Sequence, residues 1–143
     1  MIVKQLSAFI ENKAGSMAAV AEVLAQSGVD ISAVSLADST DYGIARMIVN
    51  DPQKAAAALR AAGVICKITD VLAVAMDDAP GGFAKMLHLL KNQSHEIKYM
   101  YACIGRHEGK ALMIFSVEDV AGAEALIVGT SAGQVDPKEI YRI

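Results

Sequence analysis

The chain repeats itself, and that limits its folds more than any other feature. Laying Ala14-Gly15-Ser16-Met17 over Pro80-Gly81-Gly82-Phe83 sets an offset of 66 residues (81 − 15). With that offset held, Met17, Val20, Ala21 and Leu24 fall on Phe83, Met86, Leu87 and Leu90. Both sets have the i, i+3, i+4, i+7 spacing of one helical face. Ile31 falls on Ile97, Gly43 on Gly109, and Ala45 to Val49 on Ala111 to Phe115. Turn glycines and apolar positions match together, so the chain reads as two copies of one supersecondary unit.

Each copy resolves into elements. Ile2 to Ile10 alternates, with Leu6, Ala8 and Ile10 on one face, as a strand does. Ser16 is placed to cap a helix from about Met17 to Ser27, and Gly28 ends it. Asp30 to Ala37 reads as a second strand, Asp41-Tyr42-Gly43 as a hairpin turn and Ile44 to Val49 as a third strand. Asp51-Pro52 opens an alanine-rich helix that Gly63 stops, and Val64 to Lys67 begins a short fourth strand. The second copy repeats the order: strand 70–76, helix 83–92, strands 96–103 and 110–116, helix 119–128 and a final strand near 138–143. No Pro/Gly/Ser-rich spacer separates the copies.

Strand-helix-strand-strand-helix-strand is the ferredoxin-like arrangement. The expected fold class is α+β: two tandem βαββαβ units at residues 1–68 and 69–143, each an antiparallel four-stranded sheet with both helices on one face. The faces away from the helices are then expected to carry Val34, Leu36, Arg46 and Ile48, and Met100, Ala102, Leu112 and Ile114. Mostly apolar, these faces predict a further interface, within the chain or with a second copy.

Composition removes several functions. The formal net charge is −3 and no basic stripe is visible, which argues against nucleic-acid binding. RNA-recognition modules of this topology also need exposed aromatics on the central strands, where this chain has aliphatics. No segment approaches the roughly 18 apolar residues of a membrane span, and Met1-Ile2-Val3-Lys4-Gln5 does not open a signal peptide. The expected location is cytoplasmic. Cys66 and Cys103 are too few and too far apart for a disulfide framework or redox pair, and read as buried thiols. Metal-carrying modules of this shape use a cysteine pair in the first loop; neither Glu11–Ser16 nor Asp77–Gly82 holds one. His88, His95 and His107 form no nucleophile pattern, with His107 at a hairpin tip four residues past Cys103. Asp77-Asp78 reads as a solvated loop start. The expectation is no enzyme activity, no metal and no cofactor.

The loop after each first strand carries the strongest local signal. Asn12-Lys13-Ala14-Gly15-Ser16 and Asp78-Ala79-Pro80-Gly81-Gly82 each lead into a helix N-terminus. That end presents unpaired N–H groups and the positive end of the helix dipole, a natural seat for a carboxylate. From the residues alone, a plain tight turn with a capped helix is the favoured reading, because a lone glycine-containing turn is weak evidence.

The Asp-x-Pro-Gly segment at Asp78–Gly81, between a strand and an apolar-faced helix, resembles the ACT-domain signature. Asn12-Lys13-Ala14-Gly15 is a variant of it, followed as in that family by a helix, a Gly28-Val29-Asp30-Ile31 turn and a hairpin. The resemblance covers essentially the whole chain, twice. It implies a regulatory module that takes a free amino acid as effector and signals to a separate regulated protein, with a homodimer as the expected assembly. A structural or protein-interaction module without ligand binding is the alternative. Family sites use the first loop of one unit and strand two of its neighbour. Carried over, the first site is Asn12, Ala14, Gly15, Ser16 and Met17 with Ile31 and Ser32. The second is Asp78, Ala79, Gly81, Gly82 and Phe83 with Ile97, Lys98 and Tyr99. The implied pose sets the ligand carboxylate on the amides of Gly15, Ser16 and Met17 and its ammonium near Asn12. Unit one lacks the proline; unit two has Gly82 in place of a capping side chain, and Ser94-His95-Glu96 where unit one has its glycine. The two sites are therefore not equivalent.

Overall fold

The computed structural model describes residues 1–38, 41–92, 95–105, 109–130 and 133–142. Its elements run β1 (Ile2–Glu11), α1 (Ser16–Gln26), β2 (Ile31–Asp38), β3 (Tyr42–Val49), α2 (Pro52–Ala61), β4 (Ile65–Asp77), α3 (Gly82–Asn92), β5 (Ile97–Ala102), β6 (Lys110–Val117), α4 (Val120–Val128) and α5 (Pro137–Tyr141). The chain divides into two compact units. One is Lys4–Thr69 with Tyr141–Ile143; the other is Met1–Val3 with Asp70–Ile140.

The Lys4–Thr69 unit has the strand order β2-β3-β1-β4, with β1 and β2 both antiparallel to β3. Its core sets Leu6, Ala8 and Ile10 of β1 and Ala45, Met47 and Val49 of β3 against Val20 and Leu24 of α1 and Ala55, Ala56 and Leu59 of α2. Both helices therefore cover one face. Local chemistry sets their ends. The Asp51 carboxylate accepts the Lys54 amide at 3.0 Å, capping α2 with Pro52 in its first turn. Past the helix, Val64 N–H returns to Leu59 O at 2.9 Å and Gly63 N–H to Arg60 O at 3.0 Å. The end of α1 repeats this: Val29 N–H reaches Leu24 O and Gly28 N–H reaches Ala25 O.

The Asp70–Ile140 unit repeats the plan with β5-β6-β4. Leu72, Val74 and Met76 of β4 and Phe115 and Val117 of β6 pack on Met86 and Leu90 of α3 and Ala123 and Ile127 of α4.

Three features depart from the sequence-based expectation. First, β4 is one strand of 13 residues where two short strands were expected. With no glycine or proline between Ile65 and Asp77, nothing breaks the extended backbone. Second, residues 137–141 form a short helix where the final strand was expected near 138–143. Asp136 starts it by accepting the Lys138 amide at 2.8 Å, with Pro137 as its first residue. The fourth-strand place of that unit is filled by Met1–Val3. Ala73 N–H donates to Met1 O at 2.8 Å and the Met1 nitrogen donates to Ala73 O at 3.0 Å, an antiparallel exchange. Ile2 N–H donates to Glu124 Oε1 at 2.8 Å on α4. Tyr141 and Arg142 belong with the Lys4–Thr69 unit, where the Tyr141 hydroxyl accepts Lys4 N–H at 3.3 Å and Arg142 pairs with Asp30 at 3.3 Å.

Third, strand two of each unit changes phase. Ile31 lies opposite Val49, but Ala33 lies opposite Ile48 and Val34 opposite Met47, with a register shift between. The same shift falls between Ile97 and Tyr99, setting Met100 opposite Phe115. Directly opposed residues share a face, and one extra residue turns every later side chain over. Val34, Leu36 and Met100 therefore lie on the helix side of the sheet. They are exposed there, Leu36 at 54%, while Ile48, Leu112 and Ile114 on the reverse face are buried. The expected apolar face mixed residues from both sides. The repeat offset also grows: Met47 corresponds to Phe115 and the helix cap Asp51 to Asp119, both 68 apart (115 − 47 and 119 − 51). A change of two preserves side-chain parity, so β6 keeps the inward pattern read from β3. The thiols of Cys66 and Cys103 are half-buried rather than buried.

A charge tests this assignment of faces. Ile48→Lys should lower unfolding free energy by about 3 kcal/mol or more, because the ammonium enters a desolvated position. Leu36→Lys should change it by only about 0.5 kcal/mol. Urea unfolding of both variants decides; equal losses would contradict the bulged register.

Candidate functional site

The apolar row of each central strand ends where the following helix begins, and the wedge between them stays open. In the Lys4–Thr69 unit it is a cavity of about 440 Å³. Its walls are Phe9, Ile10 and Glu11 of β1, Lys13, Ala14 and Gly15 of the loop, Ser16, Ala19 and Val20 of α1, and Gly63 and Val64 after α2. In the Asp70–Ile140 unit a cavity of about 200 Å³ is lined by Met76, Asp77, Gly82, Lys85, Met86, Leu89 and Thr130. Ile10/Met76, Glu11/Asp77, Ser16/Gly82, Ala19/Lys85 and Val20/Met86 are pairs at the repeat offset, so this is one place met twice.

Backbone geometry builds the loops alike. Gly15 and Gly81 have φ of 86° and 88°, the left-handed region that glycine adopts without strain. Ala19 N–H donates to Gly15 O at 2.9 Å and Lys85 N–H to Gly81 O at 3.0 Å, so each helix starts immediately after its glycine. Ser16 is the first residue of α1 and not its cap; Gly15 holds the cap position with no side-chain bond. The Ser16 amide donates to Lys13 O at 3.3 Å and that of Gly82 to Ala79 O at 3.0 Å. The Ser16 amide thus already has a carbonyl partner. The next two amides, of Met17 and Ala18, have no carbonyl within the helix.

The two cavities differ where chemistry would differ. A Cβ on Gly82 would overlap the Asp77 carbonyl oxygen, so α3 starts hard against the strand end. Ser16 stands at that position in the larger cavity. Glu11 pairs with Lys13 at 2.6 Å, whereas Asp77 pairs with Lys110 of β6, its strand neighbour, at 2.6 Å. The hydrogen bond from Lys13, then its charge, holds the Glu11 carboxyl below its ordinary value. Lys110 lowers Asp77 in the same two ways, and the charge of Lys85 adds to it. Both carboxylates are exposed and solvent screens these pairs. A depressed folded-state pKa favours the fold above the ordinary carboxylate value, and that contribution disappears as pH falls through the lowered one.

Among the residues expected at the first site, Ala14, Gly15 and Ser16 line the cavity. Asn12 is exposed in the loop, its N–H on Asp41 O at 3.4 Å, and Met17 packs toward the core. Ile31 also packs on the core, and Ser32 is buried at the bulge with its hydroxyl unpartnered among the described residues. Within a unit, β3 separates β2 from β1, so strand two does not reach this loop. Of the second set only Gly82 lines the cavity. Asp78 donates its amide to Gly109 O at 3.0 Å, and Ala79 accepts from Gly82. Gly81, Phe83 and Lys98 are exposed and Tyr99 is half-buried. Ile97 lines a separate groove with Leu87, Lys91, His95 and Glu96. His107 and Ser94 lie outside the described residues. Sequence reading missed Ala19/Lys85, which stand one helical turn after each glycine, and the Gly63-Val64 turn that closes the larger wall. The i+4 spacing from Gly15 and Gly81 was the available signal. Among the described residues no cluster of three or more His, Cys, Asp or Glu could hold a metal ion, and no helix is long and apolar enough to cross a membrane.

Two tandem ferredoxin-like units with a helix-start cavity in each define a class of paired small modules. The chain belongs to the ACT family: the family described as ACT domain pair matches residues 1–143. Protein BT0572 from Bacteroides thetaiotaomicron is similar over all of this chain and 98% of its own, with 32% identity and a TM-score of 0.91. The ligand-free regulatory subunit of aspartate kinase from Thermus thermophilus shares the fold at 18% identity and a TM-score of 0.66, over 90% of this chain and 96% of its own. The corresponding subunit from Thermus flavus does so at 18% identity and a TM-score of 0.62, over 90% and 94%. No curated protein matches the chain.

Two measurements test the local reading. Gly82→Ser should cost about 1–3 kcal/mol through overpacking against the Asp77 carbonyl, while Ser16→Gly removes no cap and should cost about 0.5 kcal/mol. In an NMR titration of side-chain carboxyls, Lys110→Met should raise the Asp77 pKa toward its ordinary value and leave Glu11 unchanged. An Asp77 that does not move would remove Lys110 as the cause.

Proposed function

We propose that this chain is a non-catalytic regulatory module that binds a free amino acid and passes its state to a separate protein. The observation that carries the reading is the recurrence of one cavity at equivalent helix starts in both units. Each combines apolar walls with a carboxylate at the strand end beside the positive end of a helix dipole, which suits a molecule with an apolar body and two opposite charges. Family membership and the shared fold with aspartate kinase regulatory subunits support it. In the larger cavity the ligand carboxylate lies toward the start of α1, where the helix dipole favours it, and Glu11 faces the ammonium. The working assembly is a cytoplasmic homodimer. The domain division at residues 1–68 and 69–143 remains the functional proposal, one ligand site to each.

The test is a thermal-shift series with the twenty amino acids. A ligand at 100 times its Kd should stabilise the fold by about 2.7 kcal/mol. Gly15→Val places a β-branched residue at positive φ, costing about 1–2 kcal/mol, and should weaken binding at the larger cavity. A flat response to all twenty would favour a protein-interaction module.

A further inference from the structure

We propose that the cavity of the Asp70–Ile140 unit selects an α-amino acid with a compact apolar side chain, its carboxylate on Lys85 and its ammonium on Asp77. This rests on the amino-acid reading above and assigns the smaller site its ligand class. The apolar lining is Met76, Met86 and Leu89, and the hydroxyl of Thr130, which also lines the cavity, donates to Ile127 O at 2.8 Å. Two thioethers and a leucine adapt to branched or unbranched aliphatic groups. A charged side chain placed there would lose hydration and gain no partner. The volume, about 200 Å³, equals roughly seven water molecules. That admits the side chains of valine, leucine, isoleucine or methionine with the charged ends at the mouth.

The mouth supplies both charges. Among the described residues the Lys85 ammonium has no hydrogen-bond or ion-pair partner, although the side chain borders the cavity. Lys85 lies in the first turn of α3, so its charge adds to the positive end of the helix dipole. Asp77 pairs with Lys110 through Oδ1, and a carboxylate has acceptor capacity for a second cation. Lys85 also lowers the Asp77 carboxyl, as expected of neighbouring charges. The larger cavity has Ala19 where Lys85 stands, and among the described residues its only lysine, Lys13, pairs with Glu11 at 2.6 Å. It offers no free cation for a carboxylate, so the two units bind different ligands or bind with different strength.

Calorimetry on the full chain tests this with valine, leucine, isoleucine and methionine, against lysine, aspartate and tryptophan. Isovalerate and isobutylamine, each with one charged end, should bind at least tenfold more weakly than valine. Lys85→Ala introduces the residue the first unit already carries there and should weaken binding at least tenfold with the fold intact. Leu89→Phe should fill the floor and weaken binding independently, and Lys13→Ala should leave this site unchanged. Unaltered affinity in both Lys85→Ala and Leu89→Phe overturns the proposal, as does isovalerate binding as tightly as valine. If another amino acid binds and none of these four does, this inference fails and the proposed function stands. If none of the twenty binds, both fail.

Discussion

Burial of one apolar row on each central strand is the constraint from which the rest of the structure follows. Leu6, Ala8 and Ile10 lie under α1 and α2, and Leu72, Val74 and Met76 lie under α3 and α4. Each row must end, and the chain must turn back into a helix whose first fully buried apolar side chain, Val20 or Met86, rejoins the same core. The residues at the end of the wedge serve two roles. Ile10 and Met76 belong to the core and also to the cavity wall. The cavity position is thus inherited from packing, which is why both units have it.

What differs between the copies is small in sequence and large in chemistry. One missing side chain at Gly82 draws α3 onto the strand end, and the cavity there has less than half the volume of its counterpart. One lysine in place of an alanine moves the rim cation from the loop, at Lys13, to the first turn of the helix, at Lys85. The strand-end carboxylate is kept in both, but its cation comes from the loop in one unit and from the neighbouring strand in the other. A repeated fold can hold its core constant while the rim evolves freely, because rim residues contribute little to stability.

The units are not consecutive segments of chain. Met1–Val3 completes the sheet of the unit formed by Asp70–Ile140, and Tyr141 and Arg142 dock on Lys4 and Asp30. Each unit therefore depends on residues far away in sequence for hydrogen bonds that a local strand or loop would otherwise make.

Much of this was legible in the sequence. The repeat, the helix faces, the caps at Asp51 and Pro52 and the turns at Gly15 and Gly81 all express local rules: a period of 3.6, a carboxylate near free amides, a glycine at positive φ. Those rules act over a few residues, so the residues themselves report them. Only the tertiary structure decided which side of the sheet holds Val34, Leu36 and Met100, because a single bulge residue reverses an alternation that reads identically without it. It also decided that β4 runs on as one strand, that Met1–Val3 fills the place expected of residues 138–143, and that Lys110 rather than a loop lysine pairs with Asp77. Each is a choice of distant partner. Hydrogen bonding and burial select such a partner among many of similar local propensity, and only the assembled sheet shows which was selected.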